Sequence, residues 1–135
     1  MDHNWEQVRE FHERFGHPVA ATPTRLSGER SAQRCAWMRE EIQEFEAATD
    51  VAGQTDAMID LIYFALGTLV EMGVRPERCF DIVHQANLRK LWPDGRPRHR
   101  DDAKTVKPPG WGDPGAALTA ELARQQAEAR TAPGA

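Results

Sequence analysis

Thr55-Asp56-Ala57-Met58-Ile59-Asp60-Leu61-Ile62-Tyr63-Phe64-Ala65-Leu66-Gly67-Thr68-Leu69-Val70 decides the architecture. Met58, Leu61, Ile62, Phe64, Ala65, Leu66, Leu69 and Val70 fall on nearly every side of a helix with 3.6 residues per turn, so this segment is expected at the centre of a core. Thr55 is the expected N-cap, after a short break at Gly53-Gln54-Thr55. Gly73 suits the C′ position, and Pro76 suits the first turn of the next helix. Asp56 and Asp60, four residues apart, project from one side of this apolar segment. An ionised carboxylate buried without a partner costs several kcal/mol, so a cation is expected beside them. Asp56 is near enough to the helix start to act as a cap instead, whereas Asp60 lies beyond the first turn.

Outward from this segment the same period recurs. Trp5, Val8, Phe11 and Phe15 form the stripe of a first helix ending near Gly16 and Pro18. Cys35, Met38, Ile42 and Phe45 mark a second helix over about residues 28–48. Phe80, Val83, Leu88 and Leu91 mark a fourth, which runs up to the turn at Pro93-Asp94-Gly95. Residues 92–112 read as extended and irregular. Asp113-Pro114 could cap a last, thinly apolar helix containing Leu118 and Leu122, with a frayed end over 131–135. No segment alternates with period two for long enough to give a confident strand. The expected fold is therefore all-α with four principal helices, a bundle completed by homo-oligomerisation into a dimer or tetramer.

The chain has 135 residues, 40% hydrophobic and 28% charged, enough for one domain with a modest core. The longest apolar stretch, Ala57 to Val70, is interrupted by Asp60 and Gly67 and is too short for a membrane span. The first fifteen residues carry Asp2, Glu6, Glu10 and Glu13 rather than a basic run and an apolar stretch, so a secretory signal is not expected and the cytoplasm is the default compartment. Cys35 and Cys79 lack CxxC spacing and read as buried thiols. A net charge of −4 argues against general nucleic-acid binding. The charge is uneven, however: from His84 to Lys107 seven basic residues face three acidic ones. The serines Ser27 and Ser31 lack a GxSxG setting, no GxxxxGK[ST] loop exists, and the five histidines lack metal-site spacing.

In the second helix, Arg39-Glu40-Glu41-Ile42-Gln43-Glu44-Phe45-Glu46, the three-residue spacing stacks Glu41 and Glu44 on one face, with Glu40 beside it. A single ExxE pair is ordinarily a solvated helix face. Followed by Asp56 and Asp60 on the next helix, it can bring four carboxylates together, and hard oxygen ligands of this kind suit Mg²⁺ or Mn²⁺. At the end of the fourth helix, His84, Asn87 and Lys90 share a face at spacings of three. Lys104-Thr105-Val106-Lys107-Pro108-Pro109-Gly110-Trp111 forms a basic arm whose ammoniums would complement a polyphosphate beside a metal. The competing reading of the arm is a disordered basic linker.

Glu40-Glu41-x-x-Glu44, Asp56-Ala-Met-Ile-Asp60-Leu-Ile-Tyr63, Gly67, Gly73, His84-x-x-Asn87-x-x-Lys90 and Lys104-x-x-Lys107-Pro-x-Gly-Trp111 occur in one order over about residues 30–112. In this combination the sequence resembles the all-α NTP pyrophosphohydrolase superfamily, which includes MazG, dimeric dUTPases and phosphoribosyl-ATP pyrophosphohydrolase; the tail looks most like the MazG-like dUTP/NTP branch. The resemblance implies Mg²⁺-dependent cleavage between the α and β phosphates of a nucleoside triphosphate, dUTP among the candidates; with the charge and apolar lengths above, no nucleic-acid or membrane partner is expected. By register it maps Glu41, Glu44 and Asp60 onto metal-ligand positions. The family's remaining ligand position holds Ala57, with Asp56 one residue earlier as the candidate substitute. Glu40 is implied as the base for the attacking water or as a ligand to a further ion, with Glu41 counted in the catalytic set. Tyr63, His84, Asn87, Lys90, Lys104, Lys107 and Trp111 are implied for substrate binding. The domain is expected over 1–113, with its core at 28–91, its basic tail at 92–112 and a weak C-terminal segment at 114–135. Phosphoribosyl-ATP or a modified nucleotide is the alternative substrate, and a non-catalytic nucleotide- or metal-binding helical dimer is the alternative class.

Overall fold

In the computed structural model, which describes residues 1–131, five helices follow one another: α1 (Asp2–Phe15), α2 (Gly28–Ala47), α3 (Val51–Glu71), α4 (Pro76–Leu88) and α5 (Gly115–Thr131). The pairing His99–Thr105 is an isolated bridge, and the described residues contain no strand. The all-α expectation holds. The described residues form two compact units, one comprising Met1–Pro76 together with 125–131, the other Glu77–Arg124.

In the first unit, α3 packs against both α1 and α2. The core is Trp5 and Val8 from α1 with Leu66 and Val70 from α3, and Val19 and Leu69 pack around it. The stripe on α1 is thus met by the C-terminal half of α3. The N-terminal half is not covered in the same way: Val51 is 79% and Ile59 55% exposed, and Ile62 is exposed too. The periodicity of α3 had implied burial all round, but α1 reaches only its second half.

Caps explain the helix boundaries. Ser27 Oγ accepts from the Arg30 amide at 3.1 Å and starts α2. Asp50, rather than Thr55, caps α3: its Oδ1 accepts from the Gly53 amide at 2.7 Å, so the helix begins five residues earlier than expected and contains the supposed break. Thr55 instead donates its hydroxyl to the Val51 carbonyl at 2.7 Å. Asp56 therefore lies in the second turn, and capping does not account for it. After α3, Gly73 adopts φ +64°, and a Cβ there would stand 2.5 Å from the Thr22 carbonyl oxygen. Only glycine combines that backbone with so close an approach. The loop before α2 is tied down there, with Ala20 and Thr24 amides donating to the carbonyls of Val70 and Met72.

In the second unit, α4 ends at Leu88, short of Leu91. Trp92 and Arg96 close a turn by backbone hydrogen bonding, and Val106 donates to the Arg98 carbonyl, so the arm folds back on itself. Asp113 accepts from the Gly115 amide at 2.7 Å and leads into α5, a full 17-residue helix despite its thin apolar face. Gln125 on α5 exchanges two hydrogen bonds with the backbone of Arg75 within the first unit, an anchor that apolar periodicity does not register. Both cysteines are half-buried rather than fully buried. No helix among the described residues is long and apolar enough to cross a membrane. Of the end expected to fray, residues 132–135 lie outside the described residues.

Candidate active site

Helices α2 and α3 form a pair whose facing residues make successive levels. Nearest the connecting loop are the carboxylates Glu40, Glu41 and Glu44 of α2 and Asp56 and Asp60 of α3. Next come Trp37 and Phe64, whose ring centroids lie 5.9 Å apart. Then Arg34 meets Thr68, and at the far end Arg30 meets Glu71.

Glu41 is the buried member of the acidic level, 8% exposed, and its Oε2 is enclosed without any hydrogen-bond partner. Burial, the charge of Glu44, and then those of Asp60, Glu40 and Asp56 all push its pKa up. The charges of these four carboxylates thus all act on the buried Glu41. Asp56 and Asp60 are themselves exposed, which corrects the expectation of buried aspartates: the uncovered half of α3 leaves them in solvent, and the uncompensated buried charge is on α2. Glu40 and Glu44 are exposed as well. Among the described residues no three carboxylate, imidazole or thiol groups stand close enough to hold an ion in a preformed cage. A lone buried carboxylate oxygen under the charge of four acidic side chains nevertheless suits a hard divalent cation, which would satisfy the orphaned oxygen and offset the repulsion.

The opposite end of the helix pair is fully compensated. Glu71, 5% exposed, accepts from Arg30 Nε and Nη2 at 2.7 Å each and from Arg34 Nη1 at 3.3 Å. Burial pushes its pKa up, but the hydrogen bonds from Arg30 and the charges of Arg34, Arg30 and His12 outweigh that and hold it below the usual range. Arg34 is buried too. It also donates to Thr68 Oγ1 at 3.0 Å and to the Phe64 carbonyl, and it lies over the rings of Trp37 and Phe64. A Cβ at Gly67 would stand 2.6 Å from Arg34 Nη2 and 2.8 Å from His12 Nε2, so glycine is what allows both side chains to reach α3. Sequence reasoning missed this network. The available signal was a glutamate in the last turn of α3, at the negative end of the helix dipole, with two arginines four apart on α2.

Of the other expected site residues, Tyr63 lies edge-on to Phe11 at 5.7 Å, and burial raises its pKa. In the second unit, Trp111 draws several of them together. Its Nε1 donates to the Ala86 carbonyl at 2.8 Å, and the ammoniums of Lys90 and Lys107 lie 5.6 and 4.3 Å from its ring centroid. Lys90 also donates to Asn87 Oδ1 at 2.6 Å. His84 and Lys104 are exposed, and the Lys104 amide donates to Asp102.

Comparison with known proteins gives the class. The family model for phosphoribosyl-ATP pyrophosphohydrolase matches residues 8–87. Among solved structures, a protein named as a candidate NTP pyrophosphohydrolase from Exiguobacterium sp. 255-15 is 34% identical, with 93% of this chain and 96% of that chain covered at a TM-score of 0.53. No curated protein matches the chain. The chain belongs to the phosphoribosyl-ATP pyrophosphohydrolase family, within the all-α NTP pyrophosphohydrolases. It is a nucleotide pyrophosphohydrolase, a hydrolase of nucleotide phosphoanhydrides.

Proposed function

We propose that the protein hydrolyses the α–β phosphoanhydride of a nucleoside triphosphate, dUTP among the candidates, releasing the monophosphate and pyrophosphate in a Mg²⁺- or Mn²⁺-dependent reaction. The observation that carries this reading is the orphaned Oε2 of buried Glu41, whose carboxyl the charges of four further carboxylates push up. Glu41, Glu44 and Asp60 would hold the ion, with Asp56 as the fourth carboxylate. A bound divalent ion supplies neutralisation of phosphate charge and a more acidic water. Glu40, exposed beside Glu41, is the group that takes the proton from the attacking water. Lys90 and Lys107 bind phosphate oxygens, with Lys104, Asn87 and His84 completing the polar contacts to the nucleotide.

Pyrophosphate release from a panel of dNTPs, NTPs and phosphoribosyl-ATP, with Mg²⁺ or Mn²⁺, tests the reading. Metal-dependent release that Glu41→Gln and Asp60→Asn both abolish is the expected result. A folded wild-type protein inert on the whole panel overturns it in favour of a non-catalytic nucleotide-binding module. Phosphoribosyl-ATP is the second reading, favoured by the family model that matches 8–87.

The apolar patch of Val51, Ile59 and Ile62 on α3, with Ile42 on α2, supports assembly with a second copy. Sedimentation of the wild type as a dimer or tetramer, and of Ile59→Glu as a monomer, is the expected outcome; a monomeric wild type would remove the assembly.

A further inference from the structure

Helix α1 is joined to the rest of the first unit by contacts of uneven quality. Trp5 and Val8 meet Leu66 and Val70 in the core. The polar groups around them are less well provided for. The Trp5 indole N–H is enclosed without an acceptor among the described residues, and a buried donor left in that state weakens the element that carries it. The Glu6–Arg75 pair, 2.7 Å apart, lies half in solvent, where such a pair contributes little. Elements held in this way open locally at a lower free energy than the core beside them.

His12 sits toward the other end of α1. It is 3% exposed and forms part of the wall of a cavity of about 200 Å³ within the first unit. Its Nδ1 lies 2.9 Å from the Pro18 carbonyl oxygen. A carbonyl only accepts, so Nδ1 carries the proton, and in the neutral ring Nε2 is a bare acceptor. Nε2 and Arg34 Nη2 stand 2.8 and 2.6 Å from one point, the position that a Cβ on Gly67 would take, so the imidazole and the guanidinium are neighbours. The charged and titratable groups facing His12 are Arg34 from α2, Glu71 from α3 and, from the following loop, His17, whose ring centroid is 5.3 Å away. Arg34 has only donors, and its Nε, Nη1 and Nη2 are already committed to Thr68, Glu71 and Phe64 respectively. Glu71 is the one acid among them, and both its oxygens already accept from Arg30 or Arg34. A proton on Nε2 would thus set a second cation beside Arg34 in a buried place with no acceptor waiting for it. Burial, with the Arg34 and His17 charges, lowers the His12 pKa against the pull of the Pro18 hydrogen bond and of Glu71, in agreement with that geometry.

We propose that α1 is an acid-released latch: uptake of one proton at His12 Nε2 detaches α1 from the α2–α3 pair and uncovers Leu66 and Val70, while α2 and α3 stay joined through Arg30, Arg34 and Glu71. Once α1 is released, the imidazole is hydrated and takes the proton at its ordinary value of 6.5. The released state therefore binds the proton better than the docked one, and acid favours release. Glu71 keeps its charge over this range, because its carboxyl is held below the usual value. The latch is independent of the catalytic reading above and stands or falls without it.

Native-state hydrogen exchange of the full chain from about pH 5 to 8, followed peptide by peptide by mass spectrometry and corrected for intrinsic rates, tests the latch. The α1 amides of the wild type are expected to lose protection about tenfold per pH unit below 6.5, the slope of a single proton, and to respond weakly to low urea, as a local opening does. The α2 and α3 amides should keep their protection over the same range. In a parallel titration by NMR, the His12 ring should take up its proton over the range in which α1 is lost. His12→Asn retains a donor for the Pro18 carbonyl but cannot be charged, and it should flatten the α1 slope while leaving α2 and α3 as they were. His12→Gln replaces it if the Asn variant does not fold, and the two wild-type measurements decide alone if neither folds. Protection of α1 that is constant with pH, that falls only in step with α2 and α3, or that keeps its slope in a folded His12 variant overturns the proposal. So does a His12 ring that titrates outside the range of the α1 loss.

Discussion

Glu41 and Glu71 are both buried glutamates on one helix pair, one at each end, and they are solved in opposite ways. Glu71 receives three hydrogen bonds from two arginines, and its carboxyl is held low. Glu41 has an enclosed oxygen with no partner and four acidic neighbours that push its carboxyl up. A buried charge that is met by the protein's own cations is structural; one left unmet is open to a proton or to the proposed cation. The comparison separates the two roles more cleanly than burial does, since the two side chains are about equally hidden.

The largest expected effect breaks the comparison on activity. Glu41→Gln should lower pyrophosphate release by at least about a thousandfold, roughly 4 kcal/mol of transition-state stabilisation, while the protein remains folded. A loss of less than tenfold would place Glu41 outside the chemistry. Glu71→Ala should act instead on stability. Removing one partner of a buried ion pair leaves Arg34 charged and unpaired, at a cost of about 3–5 kcal/mol, read as a lower urea midpoint at neutral pH. Were both substitutions to destabilise the metal-free protein alike, the contrast would fail.

Trp111→Leu extends the contrast to the cationic side. With the indole gone, Lys90 and Lys107 lose the ring that holds both ammoniums, and KM for the triphosphate should rise about tenfold with a smaller change in kcat. A change confined to kcat would argue against this positioning role.

A smaller effect sharpens the sign. In chelator, Glu41→Gln should stabilise the protein by about 1 kcal/mol, because it removes an unmet buried acceptor and its repulsion. Thermal unfolding at pH 7 reads it, and a lower midpoint would contradict it. The pH dependence is subtler. Because the Glu71 carboxyl is depressed in the folded protein, its contribution is fully present above the ordinary carboxylate value and is lost as pH falls through the depressed one. His12 runs in a different window. Its lowered folded pKa means the unfolded chain binds the proton more readily, so stability declines as pH falls below about 6.5 toward the folded value. His12→Asn should flatten that decline, and Glu71→Gln the acid one, in urea titrations from pH 3 to 8.

The acidic cluster was legible because it is local: Glu41 and Glu44 share a face by spacing alone, and a short connection brings Asp56 and Asp60 alongside. Which of the five carboxylates is buried was not. Sequence pointed to the aspartates because their helix is apolar all round, yet α1 covers only the half of α3 that carries Leu66 and Val70. Trp111 was legible as a special residue of the arm, but its hydrogen bond to Ala86 spans 25 positions and belongs to no periodic pattern.

By itself the sequence determined the helical class, the order of the helices to within a few residues, the gathering of acids on two consecutive helices and the basic arm, because each follows from spacings of three and four along one chain. Only the tertiary structure decided which buried glutamate is paired, that Arg30 and Arg34 reach across to Glu71, and that His12 closes a cavity against Gly67. Those contacts join residues tens of positions apart. Helical periodicity states which way a side chain faces, and packing alone states what it meets.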